Sequence, residues 1–153
     1  MNKIIFTIFF FAFFTVLNAS SVLACSCAPQ GSESIEMQVK EAYTNSTAVF
    51  VGEVAEVIEQ PDSLFVTVRF RVEKTWSNKE FQKEITVSTG RDDGFCGYKF
   101  EFGKKYLVYT DGDKNNLRTN ICTRTSAFES NKDVDFLNKI EKTKKSKIKS
   151  SLK

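Results

Sequence analysis

Five consecutive residues near the start of the chain carry the chemistry that this sequence suggests: Cys25-Ser26-Cys27-Ala28-Pro29. If Cys25 became the first residue of a mature chain, it would offer a free α-amine and its own carbonyl oxygen. These two atoms close a five-membered chelate ring on a metal ion, provided that the backbone around them is rigid. The alternative interpretation is structural only: the two cysteines anchor the terminus, and the proline kink starts the first helix.

Residues 1–24 have the features of a secretory signal peptide. Lys3 precedes an almost continuously apolar stretch, and Val22-Leu23-Ala24 provides suitable residues for a cut after Ala24. A transmembrane anchor is the alternative, but the apolar stretch is too short for one and is interrupted by polar residues. Cleavage would leave about 130 residues, enough for one domain with one core, in a secreted or periplasmic, extracellular protein.

The four cysteines of the chain, Cys25, Cys27, Cys96 and Cys122, all follow the signal. An even number in an exported chain predicts two disulfide bonds, and the sequence leaves three connectivities open. A four-cysteine zinc site competes with this interpretation, but zinc motifs usually contain two close pairs, and here only Cys25 and Cys27 are close. A redox pair at these two residues would need a thioredoxin-like unit, which the rest of the chain does not resemble.

Two segments have the helical spacing of apolar residues. Ser32 is expected to cap a first helix of about three turns, which ends at residues 45–47. Its apolar face has four members: Ile35, Val39, Ala42 and Tyr43. Asn45 also has the form of a glycosylation acceptor. Residues 133–140 predict a second helix near the end of the chain.

Five segments have the character of β-strands. The clearest of them alternates between apolar and polar residues over residues 64–73. Every second residue is expected to face a core: Leu64, Val66, Val68, Phe70 and Val72. The strand that begins at Ala48 contains Gly52, which predicts a bulge or a tight bend. The remaining predicted elements are strands at residues 84–89, 103–110 and 117–122, with a hairpin turn at residues 111–113.

Five short strands with flanking helices predict a mainly β fold: a five-stranded, OB-like closed barrel that carries two disulfides. The domain is expected to span residues 25–140. Residues 139–153 contain seven lysines and one glutamate. We therefore expect residues 141–153 to form a lysine-rich, disordered tail.

Three stretches resemble the N-terminal domain of the tissue inhibitors of metalloproteinases, one of the netrin-like modules. The first is the start at residues 25–29, which is similar to the family's Cys-x-Cys-x-Pro start behind a signal peptide. The second is Phe-Cys-Gly-Tyr at residues 95–98 with the strand at residues 102–108, and the third is Asn-Ile-Cys at residues 120–122. The family's third disulfide and second domain have no counterpart in this sequence, which indicates a single-domain, bacterial member.

The resemblance implies two pairings, Cys25 with Cys96 and Cys27 with Cys122. It also implies a function: the Cys25 backbone nitrogen and oxygen would bind the zinc of a partner protease, at the position that water occupies in such enzymes. The partner would be a zinc metalloendopeptidase, and the inhibitor, a monomer, would have no cofactor of its own.

The same resemblance assigns roles to the neighbouring residues. Ser26 would point into the protease pocket just beyond the metal, and residues 27–29 would run along the cleft as a bound product does. Phe95 and Gly97, on either side of Cys96, would form an adjacent ridge.

Other functions remain open at this point. One is a netrin-like module that binds partners without inhibiting a protease. Another is a lipoprotein acylated at Cys25, the one case in which we expect membrane attachment, although Leu23 is large for a lipoprotein signal. An OB-type nucleic-acid binder would use Phe65 with Arg69 or Arg71, but export and a nearly neutral body argue against nucleic acid. The chain has no histidine, so the usual triad base is missing and we expect no enzyme.

Overall fold

The computed structural model describes residues 25–27, 34–76, 82–130 and 132–151. The predicted signal peptide lies outside these residues, as do Ala28, Pro29 and Ser32. The helices and strands, numbered here in chain order, are α1 (Ile35–Asn45), β1 (Ala48–Glu59), β2 (Phe65–Thr75), β3 (Glu84–Gly90), β4 (Lys105–Asp113), β5 (Asn116–Arg118), β6 (Ser126–Ala127) and α2 (Asp133–Ser151).

Five of the strands close into a barrel, as the sequence predicts. β1 pairs antiparallel with both β2 and β4, β2 with β3, and β4 with β5. The barrel closes through a parallel contact between Ser88 of β3 and Arg118 of β5. The resulting order, β1-β2-β3-β5-β4 and back to β1, is that of an OB-type barrel. β6 adds a short pairing to β4.

The alternation of β2 determines which of its residues fill the barrel. Four are buried in the interior, Val66, Val68, Phe70 and Val72, and this confirms the predicted face. The prediction that Leu64 faces the core is wrong, because this residue is 54% exposed. It precedes the strand, in the turn between β1 and β2, and so does not share the pleat that orients the other four side chains.

The predicted bulge in β1 is present. The pairing of β1 with β2 shifts register between Val51 and Gly52, and again between Val54 and Glu56. A Cβ atom on Gly52 would lie 3.1 Å from both the Arg71 carbonyl oxygen and the Phe70 Cβ. Glycine therefore lets the two strands approach closely where β1 bends.

A second core lies between the barrel and the two helices. It contains outward-facing residues of β1 and β4 together with residues of α1 and α2 and the residue that follows β2: Val39, Val49, Val51, Trp76, Leu107, Tyr109 and Leu137. The predicted N-terminal cap of α1 is wrong by two residues. The helix begins at Ile35, and the Ser34 side chain, not that of Ser32, accepts a hydrogen bond from the Met37 amide at 3.3 Å.

The turn after β4 also differs from the prediction. Residues 111–113 belong to β4, and the turn lies at Lys114 and Asn115. The Asp113 carboxylate stabilises this turn, since it accepts hydrogen bonds from the Asn115 and Asn116 amides at 2.8 and 3.0 Å. β5 is shorter than predicted and ends at Arg118.

The last helix is longer than the apolar spacing indicates. It continues from Asp133 to Ser151, so residues 141–151 of the predicted disordered tail are helical. Lysine is a good helix former, and Glu141 pairs with Lys145 four residues later at 2.6 Å. A hydrogen bond of 3.0 Å from the Lys144 ammonium to the Tyr43 hydroxyl also joins this part of α2 to α1.

Candidate functional site

Two disulfides hold the segment Cys25-Ser26-Cys27 against the barrel. Cys25 is bonded to Cys96, with Cα atoms 5.3 Å apart, and Cys27 to Cys122, with Cα atoms 5.2 Å apart. These are the two pairings that the resemblance implies. Cys25 is half-buried, whereas Ser26 and Cys27 are exposed. The segment is therefore fixed at both ends and presents its middle residue to solvent.

The partner Cys96 is held by a tight turn after β3. Asp92 caps this turn, because its carboxylate accepts hydrogen bonds from the Gly94 and Phe95 amides at 2.9 and 3.3 Å. Cys96 itself has a left-handed backbone with φ of 55°, which is uncommon for a residue with a side chain. The turn thus imposes the direction in which the Cys96 sulfur points.

Close backbone packing fixes this turn on the end of β3. A Cβ atom on Gly97 would overlap the carbonyl oxygen of Gly90, and a Cβ atom on Gly90 would overlap the carbonyl group of Phe95. Gly97 is buried for this reason, so it does not form, together with Phe95, the exposed surface that the resemblance implies. The next residue, Tyr98, donates its amide to the Thr89 hydroxyl at 2.8 Å, and burial raises the pKa of its own hydroxyl.

The second partner, Cys122, lies in a loop after β5 that is joined to the Cys96 turn. The Ile121 amide donates to the Cys96 carbonyl oxygen at 3.0 Å. The Asn120 side chain accepts from the Cys122 and Thr123 amides at 2.8 and 3.1 Å. A backbone hydrogen bond therefore links the two anchor points of the N-terminal segment directly.

The joined anchors bring three sulfur atoms together. Those of Cys25, Cys96 and Cys122 lie within 4.8 Å of one another, a spacing that thiolate ligands of a metal could also have. Each sulfur is bonded in a disulfide and so provides no thiolate. The two disulfides therefore account for the proximity of the three sulfur atoms.

An exposed apolar surface, here called the ridge, consists of Leu64, Phe65 and Phe95. Their exposed fractions are 54%, 49% and 44%, and the two phenylalanine rings have centroids 6.5 Å apart. Arg91 connects the turn after β3, which contains Phe95, to the turn between β1 and β2, which contains Leu64. Its amide donates to the Leu64 carbonyl at 2.9 Å, and its guanidinium donates to the carbonyls of Gln60 and Pro61.

Of these three exposed apolar residues, the resemblance implies a role only for Phe95. The β2 alternation predicts a core position for Leu64, and the sequence suggests Phe65 only as a nucleic-acid contact. One signal in the sequence was available: Phe65 is a large apolar residue on the polar side of the β2 alternation. Ala28 and Pro29, the other two residues of the predicted site, lie outside the described residues.

The arginines proposed for nucleic-acid contact are already paired with carboxylates of β1. Arg69 bonds Glu56 at 2.6 Å, and Arg71 bonds Glu53 at 3.1 Å. These pairs lower the positive charge of that face, and the Phe65 ring packs against Phe95. A single-stranded nucleic acid needs free cations along a stacking surface, so this face fits such a ligand poorly.

The fold and the site together define a class: a small OB-type barrel with an N-terminal segment anchored by two disulfides. The disulfides indicate an oxidising, extracellular or periplasmic setting. Among the described helices, none has the length and apolarity to cross a bilayer. No family model matches the sequence, and no curated protein matches it.

Proposed function

We propose that this protein is an exported inhibitor of zinc metalloproteases. After cleavage behind Ala24, the neutral α-amine and the carbonyl oxygen of Cys25 bind the zinc of the target enzyme. Three protein ligands hold such a zinc and leave one position open for water. The inhibitor fills that position with two backbone donors and occupies the cleft.

The observation that carries the proposal is the double anchoring of Cys25 and Cys27. Both residues are bonded to the barrel, and their partners are linked by the hydrogen bond between Ile121 and Cys96. A chelating terminus that is already rigid loses little conformational entropy when it binds. Ser26, exposed between the two bridges, is then directed into the pocket beyond the metal.

The ridge gives the inhibitor a second contact area. Exposed phenylalanines are typical anchors in protein interfaces, because they bury a large area with few rotatable bonds. Phe95 directly precedes Cys96, so the ridge and the anchored segment share one turn. A protease that binds the terminus would meet Phe95 and Phe65 at the side of its cleft.

The α-amine is also chemically suited to the task. Its reference pKa is about 8, so removing its proton near neutral pH has a small energetic cost, and a nearby zinc ion lowers that cost further. Lipidation at Cys25 would remove the amine and the sulfur together. Because the Cys25 sulfur is bonded to Cys96 in the structure, we favour ordinary signal cleavage.

The test compares the mature protein with a variant that carries one added alanine before Cys25. The mature protein should inhibit one or more members of a panel of zinc endopeptidases stoichiometrically. The extended variant should lose inhibition, because its amide nitrogen is a poor donor to zinc, while its thermal unfolding stays unchanged. One alanine added after Lys153 serves as the matched control, since it lengthens the chain by the same residue and leaves the Cys25 amine free.

Three results would overturn the proposal. One is undiminished inhibition by the extended variant, and another is a diacylglyceryl mass on Cys25. The third is a mature protein with both disulfides intact that inhibits no member of the panel, which would indicate a netrin-like binding module without inhibitory activity.

A further inference from the structure

A groove between the two helices has a strong excess of positive charge. Its volume is about 720 Å³, and residues of α1, α2 and the turn between β4 and β5 line it. Among the described residues that line it, the only carboxylate is that of Glu36, against five lysines: Lys40, Lys114, Lys139, Lys144 and Lys147. None of the described residues that line the groove belongs to the segment Cys25-Ser26-Cys27 or to the ridge.

The helix periodicity places these groups on facing surfaces. On α2, Lys139, Thr143 and Lys147 follow one another at intervals of four residues, so they occupy one face of the helix. On α1, Lys40 and Thr44 have the same relationship. Lys144 and Lys147 of the same helix as Lys139 are three residues apart, and like charges at this spacing repel one another, which makes the arrangement unfavourable until an anion is present.

The lysines of the groove are not neutralised by the protein. Across residues 34–76, 82–130 and 132–151, none of the five forms an ion pair with a carboxylate. Glu141, which lies on α2 beside the groove, pairs instead with Lys145 at 2.6 Å. The charge of the groove is therefore available to a ligand.

Tyr43 indicates what kind of anion fits. The Lys144 ammonium lies 4.5 Å from the centre of the Tyr43 ring, and it donates to the hydroxyl at 3.0 Å. Tyr43 also packs against the second core, so Lys144 and that core together leave the ring little face on which a nucleobase could stack. Lysines also act as compact point charges without the fork geometry of arginine, and they suit phosphate oxygens approached from several sides.

We propose that this groove binds phosphate esters on a polar, non-aromatic scaffold, through two or more phosphate groups at once. The phosphates are carried either by a free ligand or by the headgroups of an anionic lipid surface. Lys114 and Lys40 contact the ligand from the barrel side and from α1, while the lysines of α2 contact it from the opposite wall. The proposal is independent of protease inhibition, since it uses none of the same residues.

The experiment measures binding of the full protein to two probes. One probe is sodium tripolyphosphate, titrated by calorimetry. The other is a set of vesicles made of phosphatidylcholine with phosphatidylglycerol, compared with vesicles of phosphatidylcholine alone in a sedimentation assay. Binding should be saturable and should weaken as salt is added.

Two double variants separate a specific site from general charge attraction. Lys40→Gln with Lys139→Gln removes two charges from the groove and should weaken binding about tenfold, the effect of losing one or two charge-assisted hydrogen bonds. Lys99→Gln with Lys142→Gln removes two exposed lysines outside the groove and should weaken it by about twofold at most. Circular dichroism and thermal unfolding should be the same for both variants.

Either of two results agrees with the proposal and identifies the source of the phosphate. Tripolyphosphate binding without vesicle binding indicates a free ligand, and vesicle binding that tripolyphosphate displaces indicates a headgroup. Equal weakening by the two double variants would overturn the proposal, because only net charge would then matter. Failure of both probes to bind would overturn it as well.

Discussion

Arg124 and Asp133 form a bidentate ion pair that joins α2 to the loop after β5. The Arg124 Nε and Nη2 atoms donate to the two Asp133 carboxylate oxygens, each at 2.9 Å. The arginine and aspartate side chains are only 18% and 9% exposed. Arg124 also donates to the Gln38 side chain of α1 at 3.0 Å, and Asp133 accepts from the Tyr109 hydroxyl at 3.1 Å. One ion pair thus connects both helices with the barrel.

Replacing Asp133 by asparagine should destabilise the fold strongly. The change leaves a largely buried guanidinium without its counter-charge, which we expect to lower the free energy of unfolding by about 3 kcal/mol. Urea denaturation measures this loss. Asp135→Asn is the matched control, because it removes an exposed carboxylate from the same first turn of α2 and should cost about 1 kcal/mol or less. Equal losses would show that the helix dipole, not the ion pair, matters at Asp133.

Tyr109 should make stability depend on alkaline pH. Burial, followed by the charge of Asp133, raises the pKa of its hydroxyl well above the ordinary value. A group whose pKa is higher in the folded state contributes stability below its unfolded pKa of about 10, and this contribution is lost as the pH rises further. Stability should therefore fall above about pH 10.

The Tyr109→Phe variant isolates this effect from other titrating groups. Near pH 8 it should be less stable than the original protein by about 1 kcal/mol, since it lacks the hydrogen bond to Asp133. The difference should disappear near pH 11, because the original protein loses about 1.4 kcal/mol per pH unit there. Denaturation curves recorded across this pH range provide the measurement, and a constant difference would contradict the assignment.

The β2 alternation predicts losses of stability of different size for two neighbouring residues. Val68→Ala leaves a cavity in the barrel interior and should lower the free energy of unfolding by about 2 kcal/mol. Arg69→Ala removes an exposed ion pair with Glu56 and should cost about 1 kcal/mol or less. Chemical denaturation of both variants checks this, and a larger loss at Arg69 would mean that the face was assigned incorrectly.

The two disulfides should stabilise the fold to a similar degree. Their partners are separated by 71 and 95 residues, and loops of this length correspond to about 4 kcal/mol each in the chain-entropy model. The variants Cys25→Ser with Cys96→Ser, and Cys27→Ser with Cys122→Ser, should both lose stability in that range. Thermal and urea unfolding measure the losses. A negligible loss for either pair would mean that its anchor is dispensable for folding.

The parts of the fold that depend on local pattern could be predicted from the sequence. The buried face of β2 follows from a period of two, because adjacent side chains of a strand point to opposite sides. The bulge at Gly52 follows from a glycine in the middle of a strand pattern. The barrel then follows from the number and length of such strands.

The parts that depend on distant contacts could not be predicted in the same way. Cysteine spacing leaves three connectivities open, and only the resemblance selected between them. The exposure of Phe65 and the burial of Gly97 depend on the turn after β3, which no local pattern describes. The helix at residues 141–151 is stabilised in part by Tyr43, about a hundred residues earlier in the chain.

The order of the cysteines along the chain has a consequence for how the protein reaches its oxidised state. Pairing between nearest neighbours would join Cys25 to Cys27 and Cys96 to Cys122, and neither bond exists in the native fold. If the chain is oxidised while it is still being synthesised, Cys25 encounters Cys27 before either native partner is available. The native bonds become favourable only after the barrel has assembled, so maturation should depend on a thiol–disulfide isomerase or on oxidation slower than folding.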